Sequence, residues 1–189
     1  MADGTIQPKI ELDRLIRGLE ETISLCEAAR RLLASRGNGE GTLPDGLPVI
    51  LERYIITESG LLFEPEHPEY PTRSIPAALN YLRFHADYLK IEHPEAVIER
   101  LIRFGHEPKQ FEGIPDPWIT QLLRKEFAER LPRENAPDAG ELSAALHTVR
   151  LLRGKFPIDP SDRAEIGRAT EVLLAYAGDF TRTVRQGYF

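Results

Sequence analysis

Residues 9–36, KIELDRLIRGLEETISLCEAARRLLASR, decide the class of fold. This stretch contains no proline and one glycine, and its apolar side chains recur every three or four residues. The apolar stripe consists of Leu12, Ile16, Leu19, Ile23, Cys26 and Leu33, and is widened by Leu15, Ala29 and Leu32. Because this stripe is broader than the seam of a two-stranded coiled coil, we predict a long amphipathic helix that packs against several others.

The bulk composition is that of a soluble globular domain. The chain has 189 residues, of which 41% are hydrophobic and 29% are charged. A chain of this size buries roughly 70% of its unfolded surface, so a core forms without disulfides or structural metals. The single cysteine, Cys26, lies on the apolar stripe, and we interpret it as a small buried side chain rather than a reactive thiol.

Location and broad partner class follow from hydropathy and charge. No apolar run approaches the ~20 residues that span a bilayer, and residues 1–4 lack the basic start of a secretory signal. We therefore expect a cytoplasmic protein with no membrane partner. The net charge of −6 argues against nucleic-acid binding over the whole surface.

We expect one helical domain over residues 9–178, with a disordered N-terminus at 1–8 and a C-terminal tail at 179–189. Residues 37–48 contain four glycines and two prolines and are predicted to form a flexible linker. This glycine-rich run lacks the Lys-Ser/Thr ending of a phosphate-binding loop.

Residues 49–64 are compatible with two structures. They could form a short helix after Pro48, or two β-rich runs at 54–57 and 61–64 joined by Glu58-Ser59-Gly60. We favour the hairpin, as part of a small extended or β-hairpin excursion over about residues 49–73.

The remaining chain predicts further helices separated by proline-rich connections. Their expected spans are Pro76 to Ile91 capped by Ser74, His93-Pro94 to Gly105, Asp116 to Leu131, Glu141 to Arg153, and Asp159 or Ser161 to Ala177. The predicted fold class is therefore mainly all-α, a single irregular bundle of five or six helices.

The predicted helix from Pro76 to Ile91 has two apolar faces. The second face carries Tyr81, Phe84, His85 and Tyr88 at helical spacing. A helix that is apolar on two sides is either central in the bundle, which we favour, or shows one side to a partner. In the second case these four residues are candidates for a protein interface.

The five histidines raise the question of a metal site. Helical zinc sites usually place two histidines four residues apart, and the sequence contains no such pair. We therefore expect no metal and no cofactor.

Arg100 and His106 fit an Arg-x(4–6)-His spacing. In this respect the chain resembles the helical HEPN-type ribonucleases, in which such residues place a base and a phosphate ligand together. The resemblance covers these two positions and implies Arg100 and His106 as catalytic candidates. A small helical enzyme of this type is one alternative function.

Basic residues near the C-terminus provide a second alternative, a nucleic-acid-binding subunit. The candidates are Arg150, Arg153, Lys155, Arg182 and Arg185, together with Arg163 and Arg168. Six acidic residues are interleaved with them, so we predict that they form mainly surface ion pairs.

The sequence favours a non-catalytic helical protein whose role is to bind another protein or a second copy of itself, as an adaptor or as an assembly or regulatory subunit. The long first helix, the aromatic residues and the absence of a catalytic signature motif favour this hypothesis. Nucleic acid remains a possible but less favoured partner.

Overall fold

A computed structural model describes residues 6–35, 44–65, 73–105, 139–155 and 157–189. All elements in these ranges are helices, which confirms the expected all-α fold. We number them α1 (Ile6–Ser35), α2 (Leu47–Leu61), α3 (Ile75–Phe84), α4 (Pro94–Arg103), α5 (Ala139–Arg153) and α6 (Pro160–Tyr188). In the part of the chain that the structure describes, no helix is both long enough and apolar enough to cross a bilayer.

Helix α6 is the centre of the bundle and contacts α1, α2, α4 and α5. Its first half contributes Ile166 and Leu173 to a core shared with α2 and α5. Its second half contributes Phe180 and Val184 to a larger core shared with α1, α3 and α4. The two cores are thus joined along one helix.

Helix α1 confirms the amphipathic prediction over residues 9–35, except that Leu32, expected to widen the stripe, is exposed. The stripe from Leu12 to Cys26 is buried against α2, α3 and α6. Cys26 itself is fully buried, as expected for a side chain on that stripe.

The hairpin predicted within residues 49–64 is wrong, and the short helix after Pro48 is correct. Gly46 adopts a left-handed conformation with φ of 87° immediately before α2, and Pro48 occupies the first turn. The β-branched run that suggested a strand instead places Ile56 and Gly60 against α5, where a Cβ on Gly60 would lie 3.1 Å from Val149. Burial on two neighbouring helices thus outweighs local β-propensity.

Helix α3 begins where it was predicted but ends seven residues early. Ser74 is the N-cap, and its hydroxyl accepts a hydrogen bond from the backbone N–H of Ala77 at 3.3 Å. The helix ends at Phe84, and a turn follows that buries Leu89.

Helices α4 and α5 end where the sequence indicated. After α4, Gly105 adopts φ of 73°, a conformation that glycine tolerates. Phe104 packs edge-on against Phe180, with ring centroids 5.1 Å apart. The helix predicted over 116–131 lies outside the described residues.

The expected C-terminal tail at 179–189 is instead the end of α6. Gly178 does not stop this helix, which continues to Tyr188. Phe180, Val184 and Tyr188 are fully or almost fully buried. Their burial outweighs the roughly 1 kcal/mol that a glycine costs inside a helix.

The structure describes parts of the predicted N-terminus at residues 1–8 and of the predicted linker at residues 37–48. Helix α1 begins at Ile6, so residues 6–8 of the N-terminus predicted to be disordered are helical, and residues 1–5 lie outside the described ranges. Of the linker predicted at 37–48, residues 37–43 lie outside the described ranges, and α2 begins within its last two residues.

Candidate functional site

The aromatic patch, defined as Tyr81, Phe84, His85 and Tyr88, lies at the end of α3 and in the turn that follows it. The backbone N–H of Tyr88 donates to the His85 carbonyl at 2.9 Å and closes this turn. Because α3 ends at Phe84, the four residues do not form the helical stripe that the spacing predicted. The turn nevertheless brings the rings of Tyr81, His85 and Tyr88 into one series, and Phe84 is the residue that precedes it.

A chain of ring contacts organises the aromatic patch. The centroid of His85 lies 4.3 Å from that of Tyr81 and 6.5 Å from that of Tyr88. The first distance is a close contact, and the second falls near the outer limit of favourable ring pairing. His85 therefore packs closely on Tyr81 and makes only a marginal ring contact with Tyr88.

Tyr81 anchors the aromatic patch to the bundle. Its hydroxyl donates a hydrogen bond to the carbonyl oxygen of Pro8 at 3.2 Å, which links α3 to the first turn of α1. Burial, with a smaller contribution from the carboxylate of Glu11, raises the pKa of Tyr81. The hydroxyl therefore stays protonated and able to donate at neutral pH.

Phe84 and Tyr88 are the exposed members of the aromatic patch. The exposed fraction is 78% for Phe84 and 56% for Tyr88. The favoured interpretation of these residues as core is therefore wrong for both of them. Tyr81 and His85 are half-buried, and His85 contacts the ring of Tyr88.

The segment that follows the aromatic patch is fixed to two helices. Lys9 of α1 donates a hydrogen bond to Glu92 at 2.7 Å, and this bond lowers the pKa of the Glu92 carboxyl. The backbone N–H of Glu92 donates to the carbonyl of Gly187 in α6 at 2.6 Å. Glu92 thus ties the segment after the turn to α1 and to α6.

Charged side chains of both signs flank the exposed rings. Arg83 precedes Phe84 and Asp87 precedes Tyr88, and both charged residues are exposed. Among the described residues, neither has an oppositely charged group within 4.0 Å. The surface around the aromatic patch therefore combines apolar area with a cation and an anion.

The two residues of the ribonuclease hypothesis are described only in part. Arg100 lies on the exposed side of α4 and donates a hydrogen bond to Gln186 of α6 at 2.9 Å. His106 lies outside the described residues. Whether Arg100 and His106 come together therefore stays a prediction, because His106 is not among the described residues.

Most of the C-terminal basic candidates form the predicted ion pairs. Arg153 pairs with Glu64, Lys155 with Asp159 and Asp162, Arg163 with Glu52, and Arg182 with Asp179. The hydrogen bonds to Asp162 and Asp159 raise the pKa of Lys155. Arg150 and Arg168 are exposed. The pairing reduces the positive charge that these residues present to a nucleic acid.

Arg185 forms an ion-pair network that the sequence alone did not indicate. Its guanidinium donates to both carboxylate oxygens of Glu20, at 2.9 and 3.0 Å, and also to Asp13. The hydrogen bonds to Glu20 are the main reason that the pKa of Arg185 is raised. Asp13 and Glu20 are seven residues apart and so share one face of α1, but which helix meets that face is a tertiary property.

A groove of about 290 Å³ lies between α1, α2 and α6. Its floor includes Leu33, Ile55 and Ile166. Two arginines at its rim are already paired, Arg30 with Glu171 at 3.0 Å and Arg163 with Glu52 at 2.9 Å. The groove therefore offers apolar surface with a largely neutralised rim.

Cys26 and the metal-ligating side chains were the remaining candidates for chemistry among the described residues. Burial raises the pKa of the Cys26 thiol to about 12, with smaller contributions from Glu58 and Glu27. Such a thiol is protonated at neutral pH and weakly nucleophilic. Among the described residues, no three metal-ligating side chains converge.

Comparisons of this chain with protein-family models, with curated proteins and with solved structures gave no match.

Proposed function

We propose that this protein is a non-catalytic helical module that binds another protein chain through the aromatic patch, as an adaptor or as an assembly or regulatory subunit. The observation that carries the proposal is the exposure of two aromatic rings, Phe84 and Tyr88, four residues apart on one turn. Aromatic side chains bury about 150–250 Å² each and are enriched at the centres of protein interfaces.

The attachment of the aromatic patch to the bundle supports the proposal. The hydrogen bond from Tyr81 to Pro8 ties the end of α3 to α1, and His85 contacts the rings of Tyr81 and Tyr88. Ordering a mobile segment on binding costs free energy, so a turn that is already tied to the bundle lowers the cost of docking.

The state of the basic residues favours a protein partner over nucleic acid. Affinity for nucleic acid comes largely from cations that neutralise phosphates. Arg153, Lys155, Arg163, Arg182 and Arg185 instead neutralise carboxylates of this chain.

The proposal is tested by the size of the complex that the full-length chain forms in extracts of its native cells. We expect the wild-type chain to elute in gel filtration as a complex larger than the 21.4 kDa chain alone. Replacement of both rings, Phe84→Ser with Tyr88→Ser, is expected to shift the chain to the smaller species.

Leu151→Ser is the matched control, because Leu151 is 62% exposed on α5, outside the aromatic patch. This variant is expected to elute with the wild type. If the double variant also elutes with the wild type while remaining folded by circular dichroism, the aromatic patch is not the binding surface.

A further inference from the structure

We infer that the partner of the aromatic patch is a second copy of this chain, related to the first by a two-fold axis. This inference rests on the proposed function and specifies its partner. It is drawn from the order of charges and rings around the turn, in which Arg83-Phe84 is followed by Asp87-Tyr88. The two dipeptides have the same order of charged residue and ring, but opposite charge.

A two-fold axis makes this pattern complementary to itself. In a two-fold interface, any contact of residue i with residue j of the other copy occurs twice. If Phe84 stacks on Tyr88 of the second copy, the two segments run antiparallel, and Arg83 and Asp87 of the second copy are each one residue from the same pair of rings. The long Arg83 side chain can then reach Asp87 of the second copy, so that one arrangement allows two ring contacts and two ion pairs.

The early end of α3 leaves these charges available. In a continued helix, Arg83 and Asp87 would be four residues apart on one face and could pair within the chain. Because α3 ends at Phe84, Asp87 lies in the turn, and the described residues contain no ion pair between the two. A patch with one sign of charge would instead repel its own copy.

The size of the surface indicates a reversible dimer. A stable interface buries about 800 Å² on each partner, and the exposed parts of Phe84 and Tyr88 supply about 200–330 Å² of this. The expected dimer is therefore of the transient class, and its formation depends on protein concentration.

Charge reversal in the purified full-length chain tests the inference by sedimentation equilibrium. In a dimer of the Arg83→Asp variant, the introduced aspartate faces Asp87 of the other copy at both ion-pair positions. In a dimer of the Asp87→Arg variant, the introduced arginine faces Arg83 of the other copy. Each variant alone is expected to associate about tenfold more weakly than the wild type.

Mixing the two variants restores both ion pairs in the mixed dimer. The aspartate introduced in one chain then meets the arginine introduced in the other, and the unchanged Arg83 meets the unchanged Asp87. The equimolar mixture is expected to associate within about threefold of the wild type. The same recovery is expected for the double variant, which carries both reversals in one chain.

Arg150→Asp on α5, at an exposed charge outside the aromatic patch, is the control for the reversals. It makes the same change of charge as Arg83→Asp and is expected to associate like the wild type. A loss of association in this control equal to that of Arg83→Asp would assign the effect to net charge instead of to the aromatic patch, and so count against the inference.

Two further results would overturn the inference. One is a wild-type chain that stays monomeric up to about 1 mM, the weak limit of measurable complexes. The other is a charge-reversal variant that associates as strongly as the wild type, or two variants that associate weakly and do not recover when they are mixed. If the purified chain is monomeric while the complex in cell extracts still depends on Phe84 and Tyr88, the second copy is excluded and the proposed function stands. If neither association exists, both fail.

Discussion

Gly187 of α6 and Val97 of α4 are in such close contact that a Cβ on Gly187 would overlap Cγ1 of Val97 and lie 3.0 Å from its Cγ2. The carbonyl of Gly187 also accepts the hydrogen bond from Glu92. The absence of a side chain at this position therefore allows α4 and the turn that carries the aromatic patch to approach the end of α6.

We predict that Gly187→Ala lowers the free energy of unfolding by about 1–3 kcal/mol, because the added methyl group displaces Val97 or the end of α6. The measurement is equilibrium unfolding in urea.

Gly178→Ala in the same helix is the control for Gly187→Ala. Among the described residues, nothing outside its own helix backbone lies within 4 Å of a Cβ at this position. It is expected to stabilise the protein by up to about 1 kcal/mol through helix propensity alone. Equal effects of the two substitutions would refute the close-contact argument.

The helices that sequence predicted well are those whose burial follows one periodic stripe. The stripe of α1 could be recognised because its spacing is regular over some seven turns and the sequence contains no competing signal. The limits of α4 and α5 were predicted correctly for the same reason. His93-Pro94 marks the start of α4, and Gly154 follows the end of α5.

The errors arose where tertiary burial outweighed a local signal. Gly178 indicated a stop, but the buried residues Phe180 and Val184 continue the helix beyond it. Tyr54 to Ile56 indicated a strand, but α1 and α5 bury this segment as a helix. Neither neighbour could be identified from the local sequence.

The candidate interface was predictable in its residues but not in its exposure. Spacing selected Tyr81, Phe84, His85 and Tyr88, yet a sequence with two apolar faces does not tell which face the bundle covers. The ion pairs of Arg185 could not be predicted from the sequence for a related reason, because Asp13 and Glu20 are 172 and 165 residues away in the chain.

We predict that Arg185→Met lowers the free energy of unfolding by about 1–2 kcal/mol. The substitution removes hydrogen bonds to two carboxylates in a partly buried site, where the side chain of Arg185 is 28% exposed. Urea unfolding measures the loss.

Arg182→Met is the matched control for Arg185, because its side chain is 71% exposed and its ion pair with Asp179 is 3.6 Å long. Its effect is expected to be within about 0.5 kcal/mol of zero. Similar losses in both variants would show that the network does not tie α6 to α1.

We predict that Ser74→Ala destabilises the protein by about 1 kcal/mol, because the Ala77 N–H loses its partner at a buried helix N-terminus. Ser74→Asp is expected to retain part of the cap but to introduce a charge at a buried position. Ser143→Ala, at an exposed position within α5, is the control and is expected to be neutral or slightly stabilising. An unchanged free energy for Ser74→Ala would contradict the cap.

We predict that Cys26 reacts with a thiol reagent at pH 8 at least about 100-fold more slowly in the folded chain than in denaturant. Burial raises the pKa of this thiol from 9.0 to about 12, so the neutral form is favoured by folding. The corresponding stability is complete below pH 9.0 and is lost as the pH rises toward 12. A folded-state rate within tenfold of the denatured rate would place Cys26 at the surface.

The central claim, that another chain docks on the aromatic patch, is tested most directly by a photoreactive benzoyl-phenylalanine at position 84 of the full-length chain in its native cells. Irradiation is expected to give one dominant adduct, identified by mass spectrometry, and little adduct from the same group at position 151. A second copy in the adduct fits the two-fold dimer, and a different protein fits the proposed function alone. Equal and diffuse labelling from positions 84 and 151 would contradict the claim.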